Sequence, residues 1–364
     1  MKETMYDCYL SQFNCMAGIL AGREHILRPF VDFYVEAKPS RIYLLGSGTS
    51  FNAAIASAPM MESVLGVEVT PIAPSAMGRL YGQHPVVIAI SQSGRSTNTI
   101  KAIEELKAAG IAVITLTDPS DTPVGNTGDL PIQLAAENEL IGPRTRGYTA
   151  TVLTLQLMAL EAGLAQGIIT QNYYDEVIGV YQSIIENGDE YFSICRQFYD
   201  SNFEKLSRAR KYIFAGKAEA ASVSKECALK VLETVCYPAI GYEYEEFLHG
   251  PVCFADPELA VFLYLSHDED RIRMLSTAKL LDNITDSCFI VTHGGGINGI
   301  KNGNLLLLPG KIPEYAEIFT YILIGQLISA KLTEDLKRER YPGVQAIFDQ
   351  MGTKTSINTA KGRR

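Results

Sequence analysis

Metal-ligand spacing is missing from this chain. Its seven cysteines (Cys8, Cys15, Cys195, Cys227, Cys236, Cys253 and Cys288) are an odd number, and its five histidines (His25, His84, His249, His267 and His293) are scattered. A zinc ribbon or a disulfide framework needs clustered or evenly paired ligands, so neither is expected, and the cysteines read as reduced thiols. Positive charge is in deficit: 32 Lys and Arg stand against 41 Asp and Glu, a formal charge of −9. With no basic stripe to displace counterions, no nucleic-acid partner is expected. Long apolar runs are absent too. The most apolar helical stretch, roughly 318–332, is too short and too interrupted to span a bilayer. The opening Met-Lys-Glu-Thr-Met-Tyr-Asp lacks the basic-then-apolar order of a secretion signal. A cytoplasmic protein with no membrane partner is the expectation. Nucleotide signatures also fail: Gly46-Ser47-Gly48-Thr49-Ser50 is followed by Phe51 where a dinucleotide fingerprint needs glycine, and no Gly-Lys-Ser/Thr is present.

What is present is a pair of hydroxyl-rich turns. Residues 86–90 are an apolar strand running into Ser91-Gln92-Ser93-Gly94-Arg95-Ser96, just before a helical pattern. Upstream, Ile42-Tyr43-Leu44-Leu45 runs into Gly46-Ser47-Gly48-Thr49-Ser50 in the same way. A strand-to-helix turn of this kind offers hydroxyls, an amide and unpaired backbone N–H groups at a helix N-terminus, which suits a phosphate. One such turn could be a plain tight connection with Ser50 as a helix cap. Two in one sheet favour a small phosphorylated ligand.

The chain repeats itself. Strand candidates begin at 42, 86, 112 and 130, and again at 211, 260, 287 and 304, with nearly the same spacing. Helical patterns at 51–65 and 97–109, then at 219–236 and 270–282, fill the gaps. Strands alternating with helices imply a parallel sheet covered on both faces, and two matching sets imply a duplicated α/β unit. The predicted architecture is α/β, two tandem three-layer α/β/α domains of flavodoxin-like type. Its boundaries are a helical arm at 1–38, a first domain at 39–168, a helical linker at 169–200, a second domain at 201–340 and a tail at 341–364. At 364 residues each domain can hold its own core. The second copy has Ser266-His267-Asp268-Glu269-Asp270 where the first has Ser91–Ser96. Carboxylates there repel a phosphate dianion, so the first domain is the one expected to grip it.

Two further features bear on chemistry. Glu226, Lys230, Glu233 and Tyr237 fall at i, i+4, i+7 and i+11, a polar stripe on an otherwise apolar helix. It is either a solvated face with an ordinary ion pair or a functional one. His249 lies in Glu245-Glu246-Phe247-Leu248-His249-Gly250-Pro251, a loop bounded by helix breakers. It is either a surface residue or a proton-transfer group near neutral pH. Cysteine nucleophile chemistry is not expected.

With these residues in view, the chain resembles the double sugar-isomerase (SIS) domain proteins. That family includes the isomerase part of glucosamine-6-phosphate synthase and stand-alone ketosamine-6-phosphate deglycases. Gly48-Thr49-Ser50-Phe51-Asn52 is similar to its first phosphate loop and Ser91-Gln92-Ser93-Gly94 to its second, with Ser96 as a third hydroxyl. Ala228-Leu229-Lys230-Val231-Leu232-Glu233 resembles the helix carrying its catalytic glutamate, and Glu246-Phe247-Leu248-His249-Gly250-Pro251 the loop carrying its catalytic histidine. The resemblance implies Glu233 as acid/base and His249 as the acid for ring opening or the leaving group. Lys230, one turn from Glu233, is expected to stabilise the developing oxyanion or hold Glu233 ionised, and neither metal nor organic cofactor is required. It also implies a homodimer with an active site shared between subunits, acting on a small-molecule sugar phosphate. Four departures separate the chain from the synthase. It starts directly with the helical arm, where the synthase has a glutaminase domain. Its tail runs Arg340-Tyr341-Pro342-Gly343 into a helical segment, where the synthase has a Schiff-base lysine in a short tail after Pro-Arg, and Lys354 is a poor match for that lysine. Arg95 stands where the synthase has a glutamate. Arg144-Thr145-Arg146-Gly147-Tyr148-Thr149 replaces a more neutral stretch, and the extra arginines there, Arg144 among them, suit an additional substrate carboxylate. Deglycase activity is therefore expected ahead of simple isomerisation, with a non-catalytic sensor as the third possibility.

Overall fold

The computed structural model describes residues 3–78, 80–137, 139, 141–265, 270–295, 297, 299–301 and 303–355. In chain order the elements begin with α1 (Met5–Ala37), β1 (Arg41–Leu45), α2 (Thr49–Leu65), β2 (Glu68–Ile72), β3 (Val86–Ile90) and α3 (Thr97–Ala108). They continue with β4 (Ala112–Thr117), β5 (Leu130–Gln133), α4 (Arg146–Ala165), α5 (Gln171–Glu186) and α6 (Gly188–Arg208). Then come β6 (Lys211–Gly216), α7 (Glu219–Thr234), β7 (Ala239–Glu243), α8 (Tyr244–Leu248), β8 (Leu259–Tyr264) and α9 (Asp270–Leu281). The last are β9 (Cys288–His293), β10 (Leu305–Leu308), α10 (Glu314–Asp335) and α11 (Val344–Gln350). No helix among the described residues is long and apolar enough to cross a membrane.

The chain divides into two compact units. The N-terminal α/β unit is Ser11–Gly179 with Tyr341–Arg364, and the C-terminal one is Met1–Leu10 with Val180–Arg340. Each holds one five-stranded parallel sheet, ordered β2-β1-β3-β4-β5 in the first and β10-β9-β8-β6-β7 in the second. Read from the first strand of each unit, the two orders are the same, which is the duplication the spacing implied. Central strands such as Val86–Ile90 and Leu259–Tyr264 are buried along their whole length, as a sheet covered on both faces requires.

Four strands per unit are predicted from the apolar runs; each sheet has a fifth. The extra strands, β2 and β7, are edge strands with mixed burial. Pro71 inside β2 is tolerated because an edge strand needs ladder donors on one side only. Neither strand carries the continuous apolar signature of a buried one, which is why the pattern missed them.

The helices bury their small-residue faces. In α2, Ala53, Ala54, Ser57 and Met61 are buried, and the helix packs on α4, itself buried over most of its length. In the C-terminal unit α7 packs on the almost entirely buried α10. Contact there is close: a Cβ on Gly325 would lie 2.2 Å from Cys227 Sγ.

Candidate active site

In the N-terminal unit the two hydroxyl-rich turns follow β1 and β3, which are hydrogen-bonded neighbours with Leu45 opposite Ala89. The strand order reverses between them, the point where open α/β sheets bind ligands. The first turn depends on Gly48, whose φ of 58° and ψ of −128° form the N-cap of α2. Gly48, rather than Ser50, therefore caps α2, and Thr49 and Ser50 sit in its first turn. The second turn depends on Gly94 at φ 60°, where a Cβ would lie 2.0 Å from Thr122 Oγ1. Ser96 is the N-cap of α3. Its hydroxyl donates to Asn98 Oδ1, and Asn98 Nδ2 donates to Ser47 Oγ at 3.1 Å, tying the turns together. Ser91 and Gln92 are buried; Ser93 and Ser96 are half-buried.

Behind the second turn lies a residue that the sequence reading did not single out. Glu139 is 1% exposed, and its carboxylate accepts from Gln92 Nε2 at 3.1 Å, Thr145 N at 2.7 Å and Gly147 N at 3.1 Å. A lone glutamate in an irregular segment gives no periodic signal. Arg144 Nη1 donates to the carbonyl of this same Glu139. Arg146 is buried and spends its guanidinium on the carbonyls of Ala136 and Glu137 and on Ser11 Oγ. Arg146 is thus a structural clamp, and the extra positive charge expected of that stretch reduces to Arg144.

The tail also meets the second turn. Thr97 N donates to Thr353 O at 3.2 Å, Thr355 N to Arg95 O at 2.9 Å, and Ser96 and Lys354 form an antiparallel bridge. Arg95 Nε donates to Thr355 O at 2.7 Å, so Arg95 holds the tail.

In the C-terminal unit the polar stripe on α7 is no solvated face. Lys230 is fully buried with its Nζ 3.4 Å from Glu226 Oε1 and 2.6 Å from Glu233 Oε2. Glu226 is equally buried, whereas the Glu233 side chain stays 35% exposed. Burying an ammonium costs several kcal/mol unless carboxylates compensate it, so the helix interior holds a charge cluster with one face open. The C-terminal end of α7 is fastened from α10's far end: Arg338 Nε donates to Val235 O and Arg340 Nε to Glu233 O. Burial pushes the neighbouring Cys227 thiol up to about 12, so it packs and does not attack.

His249 closes α8. That short helix is seeded by Glu243, whose carboxylate accepts from Glu245 N at 2.7 Å and Glu246 N at 3.0 Å. Tyr244 and Phe247 anchor it in the core, and Tyr244 Oη lies 2.8 Å from Thr277 Oγ1. The His249 backbone N–H satisfies the Glu245 and Glu246 carbonyls, and its side chain is exposed. Of the acidic turn in the second copy, Ser266-His267-Asp268-Glu269 lies outside the described residues. Asp270 pairs with Lys217.

Comparison with known proteins bears on the fold. Residues 36–161 match the SIS domain. A glutamine--fructose-6-phosphate aminotransferase [isomerizing] of Aeropyrum pernix is 24% identical over 300 residues, covering 79% of this chain and 48% of that relative. The chain spans about half the length of the curated relatives it matches. A Clostridium difficile 630 protein described as a phosphosugar isomerase superposes with a TM-score of 0.87 at 22% identity, covering 98% of this chain and all of that one. The C-terminal domain of glucosamine-fructose-6-phosphate aminotransferase from Francisella tularensis gives 0.77 at 15% identity, covering 92% and 96%.

Proposed function

We propose that this chain, whose residues 36–161 match the SIS domain, is an enzyme that cleaves a ketosamine 6-phosphate into an aldose 6-phosphate and an amine. The observation that carries this reading is the buried Lys230 between Glu226 and Glu233, with Glu233 open on one side. A cluster this costly is hard to explain as structure alone, and it keeps a carboxylate oriented for proton transfer.

In this reading the ester phosphate sits on Ser50, Ser91, Ser93 and Ser96 and the turn N–H groups, with Gly48 and Thr49 shaping the first turn. His249 protonates the ring oxygen and opens the ring. Glu233 takes the proton from C1, giving an enaminol, and returns it at C2, giving an imine at C1. Water adds to that imine and the C1–N bond breaks, releasing the amine and the aldose 6-phosphate. Lys230 stabilises the oxyanion that develops at C2. Arg144 supports the choice of an amine carrying a carboxylate, because a guanidinium pairs with carboxylate through two bonds. The exposed position of His249 supports a homodimer in which it serves the partner's site.

Isomerisation of an aminosugar or aldose phosphate is the second reading, favoured by the names of the relatives and of the structural neighbours. The test is incubation with fructoselysine 6-phosphate, glucoselysine 6-phosphate and glucosamine 6-phosphate, following free amine and glucose 6-phosphate. Amine release is expected, and it disappears in Glu233→Gln while substrate binding stays within a few-fold. Aldose–ketose exchange without amine selects the isomerase; a fully active Glu233→Gln enzyme refutes the role of Glu233.

A further inference from the structure

The Gln92 carboxamide is held from inside the fold. Its Nε2 donates to the Glu139 carboxylate, and its Oε1 is buried against Gly147, where a Cβ would come within 1.9 Å of it. The backbone of the turn is fixed as firmly: Ser91 N donates to Leu116 O at 3.0 Å, and Asp118 N donates to Gln92 O at 2.9 Å. Glu139 in turn gathers the first N–H groups of α4, from Thr145 and Gly147. One carboxylate therefore ties the second turn to the N-terminus of a buried helix, where negative charge is favoured. Turning the Gln92 amide nitrogen towards a phosphate would strip Glu139 of a donor.

We propose that Glu139 is a positioning residue for phosphate binding. It anchors Gln92 as an internal strut, so that the second turn presents its remaining backbone N–H groups and the hydroxyls of Ser91, Ser93 and Ser96 in one fixed arrangement. Gln92 then contributes through its place in the turn, not through its carboxamide. This inference rests on the sugar-phosphate reading given above. It adds that affinity for the phosphate depends on a carboxylate that never touches it.

Isothermal titration with glucose 6-phosphate tests it on the full chain and on the variants Glu139→Ala, Glu139→Gln and Ser91→Ala/Ser93→Ala. Glu139→Ala should weaken binding about tenfold or more at unchanged stoichiometry, the loss expected when charge-assisted hydrogen bonds are removed. Glu139→Gln keeps the volume and one acceptor, and should fall between, about threefold weaker. Two results overturn the proposal. One is wild-type affinity in both Glu139 variants. The other is a drop in binding sites per chain with the dissociation constant unchanged, the mark of a residue needed only for folding. Should Glu139→Ala not fold, Glu139→Gln decides alone. Failure of the underlying reading looks different: Ser91→Ala/Ser93→Ala would bind as tightly as wild type, or glucose 6-phosphate would not bind the native chain.

Discussion

Replacing Lys230 by Met removes the ammonium while keeping the length of the side chain. Its partners are unequal. Glu226 is buried and loses the cation 3.4 Å away, while Glu233, with its side chain 35% exposed, can turn to water. Removing one member of a buried pair costs about 3–5 kcal/mol, because the other charge stays desolvated. The exposed partner adds under about 1 kcal/mol. For a unit of this size each kcal/mol moves the melting temperature by roughly 2–4 °C, so Lys230→Met should melt roughly 6–24 °C below wild type. The double variant Glu226→Leu/Lys230→Met replaces the buried pair by apolar groups of similar volume, a change that is often neutral or stabilising. It should recover most of the loss while remaining without turnover. Calorimetric melts of the four proteins (wild type, both singles and the double) measure the coupling directly. A double variant that melts no higher than Lys230→Met refutes the reasoning, since the damage would then come from lost packing and not from a stranded charge.

Two other expectations concern the same unit. Burial raises the Glu317 carboxyl to about 8, with Glu314 and Glu219 adding to the shift while Tyr321 and Arg271 oppose it. Its protonated form is favoured in the folded state. That stability is complete below the ordinary value of 4.5 and is lost as pH rises from there to about 8. Glu317→Gln keeps an acceptor for the Tyr321 hydroxyl, 3.1 Å away, and removes the titration. The wild type should lose a few kcal/mol relative to this variant between pH 5 and 8 in urea melts, and parallel curves would contradict the assignment. Gly325→Ala should cost about 1–3 kcal/mol despite alanine's better helix propensity, because the new methyl would meet Cys227 Sγ at 2.2 Å and force α7 and α10 apart. An unchanged melting temperature would mean that Gly325 does not set their approach.

Much of this protein was legible one residue at a time. Apolar runs such as Val86–Ile90 and Leu259–Tyr264 announce buried parallel strands because both faces of such a strand must be apolar, and their repeated spacing gives the duplicated α/β unit. The two hydroxyl-rich turns are legible for a related reason: a strand-to-helix junction fixes locally which N–H groups are left unpaired. Edge strands β2 and β7 were not legible, since a strand paired on one side carries no strong apolar signal.

Tertiary structure alone decided what the polar residues do. Helical spacing places Glu226, Lys230 and Glu233 on one stripe, but whether that stripe meets water depends on what packs against α7. Arg144 and Arg146 look alike in the sequence. One is half-buried, and the other is consumed by backbone carbonyls, because only the folded chain brings Ala136 and Glu137 to its guanidinium. Glu139 gathers donors from residues up to 47 positions away. Local sequence sets backbone preference and periodicity; the partner of a buried charge is a long-range contact, and no local pattern encodes it.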